Sequence, residues 1–390
     1  MKRVYLDNAS TTPIDPKVLG VMLPYFTEKY GNPSSIHYEG RVAKKAIEES
    51  RERIAKIVGV KKEGIIFTSG GTESDNLAVL GIARANKEKG KHIIVSAIEH
   101  KAVLDSCKKL EKEGFEITYL NVDKNGIVSL ESLNKSIRPD TILVSIMYAN
   151  NEIGTIQPIK EIAKTIKESK ISNPIFHTDA CQAVGALPID INDLNVDALT
   201  ISSSKIYGPK GIGCLCLNKN CKIEPIIFGG GQERGIRSGT ENTAYIVGFA
   251  EALFISEKKR LSESKRLTKL RDYFIENIIK TIPKIIINGD RIKRLPNNIN
   301  LSLHGVEGES LVLMLDNSGI SCSTGSACSS SDLKPSHVIL ALGGDAELAH
   351  SSIRFTLGRY STKNDIDYVV SVLLKIVPKL DKMSALTIKK

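Results

Sequence analysis

Between Glu63 and Leu217 the chain alternates short, uninterrupted apolar runs with longer stretches whose apolar positions recur every three to four residues. The runs predict strands at His92 to Ser96, Phe115 to Leu120, Thr141 to Met147, Ile175 to Thr178, Ala198 to Ile201 and Ile212 to Leu217, with a strand-like pair at Ile65-Ile66. The periodic stretches predict helices near Asn76 to Arg84, Lys101 to Glu113 and Pro158 to Glu168. After the glycine-rich 228–239 a long helix is predicted across Asn242 to Ile279. Such alternation predicts an α/β fold with a mainly parallel sheet covered by helices on both faces. Beyond about residue 256 the pattern changes, and elements near Ile299 to Leu303, Glu309 to Asn317, Ser336 to Ala341, Ser352 to Thr356 and Asn364 to Lys375 predict a smaller α+β unit. No internal repeat is visible.

Open α/β sheets place ligands at the carboxyl ends of their strands, so the residues just after each run are the ones to read. After Ala198 to Ile201 come Ser202-Ser203-Ser204-Lys205, which bring an amine to that edge. After Ile175-Phe176 come His177-Thr178-Asp179-Ala180-Cys181-Gln182, which bring a carboxylate. An amine and a carboxylate so placed suit pyridoxal 5'-phosphate (PLP), which needs a lysine to form a Schiff base and an anion beside its pyridinium nitrogen. The stretch Phe67-Thr68-Ser69-Gly70-Gly71-Thr72-Glu73-Ser74-Asp75-Asn76 turns from strand to helix on small residues, so its backbone N–H groups can cradle a phosphate. It matches neither the Walker nor the dinucleotide spacing. Finally, 321–331 are eleven small residues with no large apolar anchor, which predicts a loop carrying the Cys328 thiol into solvent.

Composition narrows the classes. At 390 residues with 41% hydrophobic content, the chain can bury real cores. No apolar run approaches the ~18 residues of a membrane span, and the first residues lack the apolar stretch of a secretory signal. Seven unevenly spaced cysteines favour reduced thiols and a cytoplasmic setting. Cys214 and Cys216 fall on one face of a strand with no partner pair at zinc spacing, so they read as buried small residues, and no metal site is expected. The net charge of +10 is spread along the chain, and its basic runs are not interleaved with aromatics. That argues against direct nucleic-acid binding and for a basic face meeting an acidic protein partner.

The chain resembles the NifS/IscS-type cysteine desulfurases, PLP-dependent enzymes of the class V aminotransferase group. The resemblance is carried by Tyr5-Leu6-Asp7-Asn8-Ala9-Ser10-Thr11-Thr12-Pro13, Gly31-Asn32-Pro33-Ser34-Ser35, Phe67 to Asn76, Glu99-His100-Lys101-Ala102-Val103 and Asn150-Asn151-Glu152-Ile153-Gly154. It continues through His177 to Gln182, Lys205 to Gly211, Arg234 to Thr240, the Cys328 loop and Ser351 to Phe355. It implies the PLP-dependent transferase type I fold. A large domain, 14–255, would hold a mainly parallel seven-stranded sheet, and a small α+β domain, 1–13 and 256–390, would carry the catalytic cysteine loop.

By the same resemblance Lys205 is the Schiff-base lysine, Asp179 the partner of the ring nitrogen, and Gln182 and Asn151 the polar groups around the ring hydroxyl and substrate. His100 stacks on the ring and can move protons. Gly71, Thr72, Ser202 and Ser204 hold the phosphate, Thr240 reaches it from the partner subunit, and Arg354 clamps the substrate carboxylate. The implied reaction converts L-cysteine to L-alanine and leaves a persulfide on Cys328. A homodimer would pass that sulfur to an acceptor protein of iron–sulfur cluster assembly or thiolation. One departure is Ser204, where the family usually has histidine. The C-terminal 379–390 are short and basic, unlike the longer docking tail of housekeeping members. A selenocysteine lyase, another PLP enzyme of this fold such as an aminotransferase, and a non-catalytic assembly or docking protein remain alternatives at this point.

Overall fold

The computed structural model describes residues 2–219, 221–283, 285–324 and 335–383. Near the N-terminus lies the short strand β1 (Val4–Tyr5). The apolar runs that follow, β2 (Ile65–Thr68), β3 (His92–Ser96), β4 (Glu116–Leu120), β5 (Thr141–Ser145), β6 (Ile175–Asp179), β7 (Ala198–Ser202) and β8 (Gly213–Leu217), hydrogen-bond into one sheet in the order β2-β8-β7-β6-β5-β3-β4. The five from β4 to β7 are parallel, and β8 is antiparallel to both β7 and β2. Two reversals restore the direction, so β2 ends at the same edge as β7.

Both faces of this sheet are covered. Alternate residues of one strand go to opposite sides. Ile65 and Phe67 pack with Ile47 and Ile54 of the helix Tyr38–Val58 and with Phe249 and Leu253 of the helix Thr243–Thr281. Ile66 instead packs with Leu77, Ile82 and Val103 on the other side. Full burial of β3, β5 and β7 follows from this double cover, whereas edge strand β4 is exposed or half-buried at every position before its buried last residue, Leu120.

The second unit is an antiparallel sheet of β9 (Ile285–Ile287), β10 (Asn298–Leu303), β12 (Ser323–Thr324) and β13 (Ser352–Thr356), in the order β12-β13-β10-β9. Beside it β11 (Ile320–Ser321) pairs with β1. Its core joins Val4 and Leu6 to Phe274, Ile275, Leu311, Phe355, Val369 and Leu373. Phe274 and Phe355 meet edge to face, with ring centroids 5.3 Å apart.

The differences from the sequence expectation have physical causes. The helix expected to begin at Asn76 begins at Gly71 and contains a π-helical turn over Leu77–Gly81. Its first turn is polar because it faces a cavity, so hydrophobic periodicity cannot detect it. The strand expected to run to Met147 ends at Ser145, although the chain stays alongside β6 a little further, with Ile146 N donating to His177 O at 3.1 Å and Tyr148 N to Asp179 O at 2.8 Å. The last helix runs from Lys363 to Met383 with Pro378 inside it. Cys214 and Cys216 are fully buried with their sulfurs 3.5 Å apart.

Candidate active site

A cavity of about 560 Å³ opens at the carboxyl edge of the large sheet. Each contributing strand delivers its residues as it leaves the sheet: Ser69 to Glu73 after β2, His100 after β3, Met147 and Asn151 after β5, Asp179 to Gln182 at the end of β6, and Ser202 to Lys205 at the end of β7. Arg354 of β13 and Ala9 to Thr11 of the N-terminal segment close the remaining side.

The turn after β2 is built for an anion. Gly70 has φ 147°, a conformation that L side chains rarely adopt, and it caps the following helix with no side-chain hydrogen bond. The first N–H groups of that helix have no intrahelical acceptor and face the cavity mouth with favourable partial charge. Gly71 is held to glycine by a close approach, since a Cβ there would meet Cys181 Sγ at 2.7 Å. Glu73 fixes the turn by accepting from Ser69 N at 2.8 Å while pairing with Arg237, whose Nε lies 2.8 Å away. Burial raises the Glu73 carboxyl, but hydrogen bonds from Arg237 and Ser69 outweigh it, so its net pKa is lowered.

Lys205 sits in a turn of 3-10 helix over Ser203–Lys205 that directly continues β7. Its Nζ donates to Ser10 O at 2.6 Å. The N-terminal segment is stitched to the same turn by Thr12 N donating to Ser204 O at 2.9 Å and by Tyr207 N donating to Thr12 Oγ1 at 2.8 Å. Ser202 and Ser204 hydroxyls are 3.1 Å apart on the same wall. Asp179 is buried, and its Oδ1 accepts from Cys181 N at 2.8 Å. Burial and then Asp179 raise the Cys181 thiol well above its usual value, so it stays protonated and unreactive.

His100 caps the helix Lys101–Lys112, its Nδ1 accepting from Ala102 N at 3.1 Å. The proton of a neutral ring therefore resides on Nε2. Gln182 Nε2 donates to Ala9 O at 3.0 Å. Arg354 is buried and donates to Asn151 O at 2.9 Å, Asp7 Oδ1 at 2.9 Å and Ser10 Oγ at 2.8 Å, while its Nε has no hydrogen-bond partner among the described residues. Behind Asn151, buried Glu152 accepts from Ser336 Oγ at 2.6 Å, and His337 Nε2 lies 3.0 Å from Glu99 O.

Of the residues singled out from the sequence, Lys205, His100, Gly71, Thr72, Asn151, Asp179, Gln182, Ser202, Ser204 and Arg354 all line this one cavity. Thr240 does not line it and lies exposed on the surface. Cys328 falls outside the described residues. The segment that carries it leaves from β12, whose Ser323 pairs with Arg354, and is followed by Ser336 at the Glu152 contact. Sequence reasoning missed Ser10, Glu73, Asp75, Met147, Cys181 and Lys210 as cavity residues. Ser10, Glu73, Asp75, Cys181 and Lys210 lie in the motifs that carry the family resemblance, but nothing in their spacing distinguishes a lining side chain from a neighbour facing the core.

This fold and donor set are those of a class V aminotransferase: the family model described as Aminotransferase class-V matches residues 4–369, and the chain belongs to that family. Within it the chain is 55% identical to a protein named "Cysteine desulfurase IscS" from Dictyoglomus turgidum, over 98% of this chain and 97% of that one. It is 52% identical to another of that name from Methanosarcina thermophila, over 100% and 95%. A solved structure titled "NIFS-LIKE PROTEIN" superposes with a TM-score of 0.91 at 38% identity, covering 97% of this chain and all of that one.

The family depends on PLP, and the cavity fits it. A glycine turn where side chains are excluded offers backbone donors, Ser202 and Ser204 add hydroxyls, a buried carboxylate faces the same space as a primary amine, and a buried arginine keeps one donor unpaired. Phosphate, pyridinium nitrogen, aldehyde and substrate carboxylate each have a matching group.

Proposed function

We propose that this protein is a PLP-dependent cysteine desulfurase that converts L-cysteine to L-alanine and carries the removed sulfur as a persulfide on Cys328. The observation that carries this reading is the convergence of Lys205, Asp179, the Gly70-Gly71 turn and Arg354 on one cavity, with the chain on both sides of 325–334 fastened beside it. Its relatives' names point the same way.

Gly71, Thr72, Ser202 and Ser204 would hold the phosphate, Lys205 the aldehyde carbon and Asp179 the ring nitrogen. When bound, PLP supplies an electron sink at the substrate's α-carbon. Arg354 orients the substrate through its carboxylate, a role suited to a planar guanidinium with a donor to spare. Lys205 Nζ removes the proton from Cα, and positioned transfer of this kind contributes about 10² to 10⁴-fold. His100 presents its Nε2 proton to the cavity and can protonate a departing or arriving group. Cys328 Sγ attacks the substrate sulfur, so an S–S bond forms as the Cβ–S bond breaks. The carbon keeps the bonding pair and takes a proton to become alanine. Ser204 replaces an imidazole with a hydroxyl donor, which alters cofactor affinity and leaves the chemistry in place.

The finer parts of the proposal are a homodimer in which Thr240 completes the partner's phosphate site, a cytoplasmic setting, an acidic sulfur-acceptor protein, and a division into domains at 14–255 and at 1–13 with 256–390. No helix among the described residues is long and apolar enough to cross a membrane. Support for the division is that Ile255 packs under the large sheet while Phe274 of the same helix packs in the second core.

The test is single-turnover alanine release from cysteine alongside trapping of protein-bound persulfide. Equal amounts are expected from the native enzyme, and neither from Lys205→Ala. Cys328→Ala should lose the persulfide and alanine together. Alanine formation that survives Cys328→Ala would show a different PLP reaction and overturn the proposal.

A further inference from the structure

Under the cavity lie carboxyl groups that the reaction above does not use. Asp75, in the helix that begins at Gly71 after β2, lines the same space as Asp179, yet its side chain is only 2% exposed and its Oδ1 has no hydrogen-bond partner among the described residues. The nearest basic group is His177 of β6, with Nε2 3.8 Å from Asp75 Oδ1. That ring cannot serve as a cation. Its nitrogens sit 2.9 Å from Ser145 Oγ and 3.0 Å from Thr200 Oγ1, and burial lowers its pKa to about 4. The other groups facing Asp75 are the Thr200 hydroxyl of β7, whose hydrogen bond pulls the carboxyl the other way, Asp179 at the end of β6, Cys181 after it and Glu99 after β3, with Lys205 and His100 also lining the cavity. Burial first, then Asp179, raises the Asp75 carboxyl well above its ordinary range. Two carboxylates in a dry wall cannot both stay ionised without a cation between them. Glu99 is in the same position: it accepts from Ser96 Oγ and Met147 N, and burial lifts it to about 8.

We propose that Asp75 is a positioning residue that keeps its proton and presents it to Asp179, so that the wall facing the cofactor's ring nitrogen carries one negative charge instead of two. Asp179 then receives a hydrogen bond from Cys181 N on one side and from Asp75 on the other. Both stabilise its anion and aim it. This inference rests on the PLP reading above and goes further, because it assigns a role to a residue that acts through Asp179.

The experiment compares the holoenzyme with Asp75→Asn, which keeps a neutral donor of the same size, and Asp75→Ala, which has none. For each, the visible absorption of bound PLP is titrated from about pH 6 to 10, PLP dissociation is measured by dialysis, and thermal melting is recorded. Asp75→Asn should keep the native titration midpoint and PLP affinity. Asp75→Ala should move the midpoint upward, because a less supported Asp179 competes for the ring proton, and weaken PLP binding about tenfold. The proposal is overturned if the two variants behave alike, whether both native-like or both shifted, or if they differ only in melting temperature. Failure of the native protein to take up PLP at all would sink the functional reading instead, so the two failures are distinguishable.

Discussion

Glu152 shows how a single buried carboxyl ties the stability of the site to pH. It sits behind Asn151 with one oxygen bonded to Ser336 Oγ, and burial pushes its pKa up to about 7 from the ordinary 4.5, against opposing pulls from Ser336 and Arg354. Because the folded state holds this proton more tightly than the unfolded chain, stability is highest where both states are protonated and declines as pH rises towards the folded value. Buried His177 acts in the opposite sense but completes its contribution by about pH 6.5, the ordinary histidine value. Between about pH 6.5 and 7 the urea midpoint should therefore fall, with buried Glu99, lifted to about 8, adding a slope of the same sign, and Glu152→Gln, which still accepts from Ser336, should reduce that slope measurably. A slope unchanged in the Gln variant would show that Glu152 is already ionised. Lys205 and Asp179 were legible in the sequence as candidates because each follows or closes an apolar run at the sheet's carboxyl edge, whereas Arg354 stood out only through the family resemblance. Glu152 was quoted there only as part of a motif, since its role depends on Ser336, 184 positions away.

At the level of elements, strand positions read well because double-sided burial leaves uninterrupted apolar runs. The helix Tyr38–Val58 was not read, and the reason is visible in its buried face: Ala43, Ala46, Ile47, Ser50, Arg51 and Ile54 form a stripe that is interrupted by polar residues. Arg51 is only 3% exposed, and its guanidinium makes a two-toothed pair with Glu233 at 2.6 and 2.8 Å while donating to Ile65 O at 2.7 Å. Glu233 also accepts from Phe67 N at 2.9 Å. This cluster clamps the helix, the end of β2 and the glycine-rich 228–239 at once. It does so across backbone at positive φ, 46° at Glu233 and 59° at Arg234. Arg51→Met would leave a dry, unpaired carboxylate. Removing one partner of such a pair costs on the order of 3–5 kcal/mol. Chemical denaturation should show a loss of that size, and a loss below about 1 kcal/mol would mean the pair is solvated in solution.

The molecule as a whole leaves large apolar side chains in water along 19–38, among them Leu23 at 55%, Tyr30 at 71% and Ile36 at 91% exposed, and Phe228 reaches 80%. Side chains of this kind are expected at a subunit interface. Sedimentation should return twice the chain mass at micromolar concentration, and Ile36→Asp should raise the dissociation constant at least about tenfold, roughly the effect of losing one buried anchor. A native protein that sediments as a single chain would remove this face from consideration. The helix Thr243–Thr281 meanwhile runs unbroken for 39 residues, about 58 Å, rooted in the first core by Phe249 and Leu253 and in the second by Phe274 and Ile278. A continuous strut of that length couples the two lobes mechanically and resists a hinge-like yawning of one against the other. Admission of an amino acid must then be managed by side chains around a stationary frame.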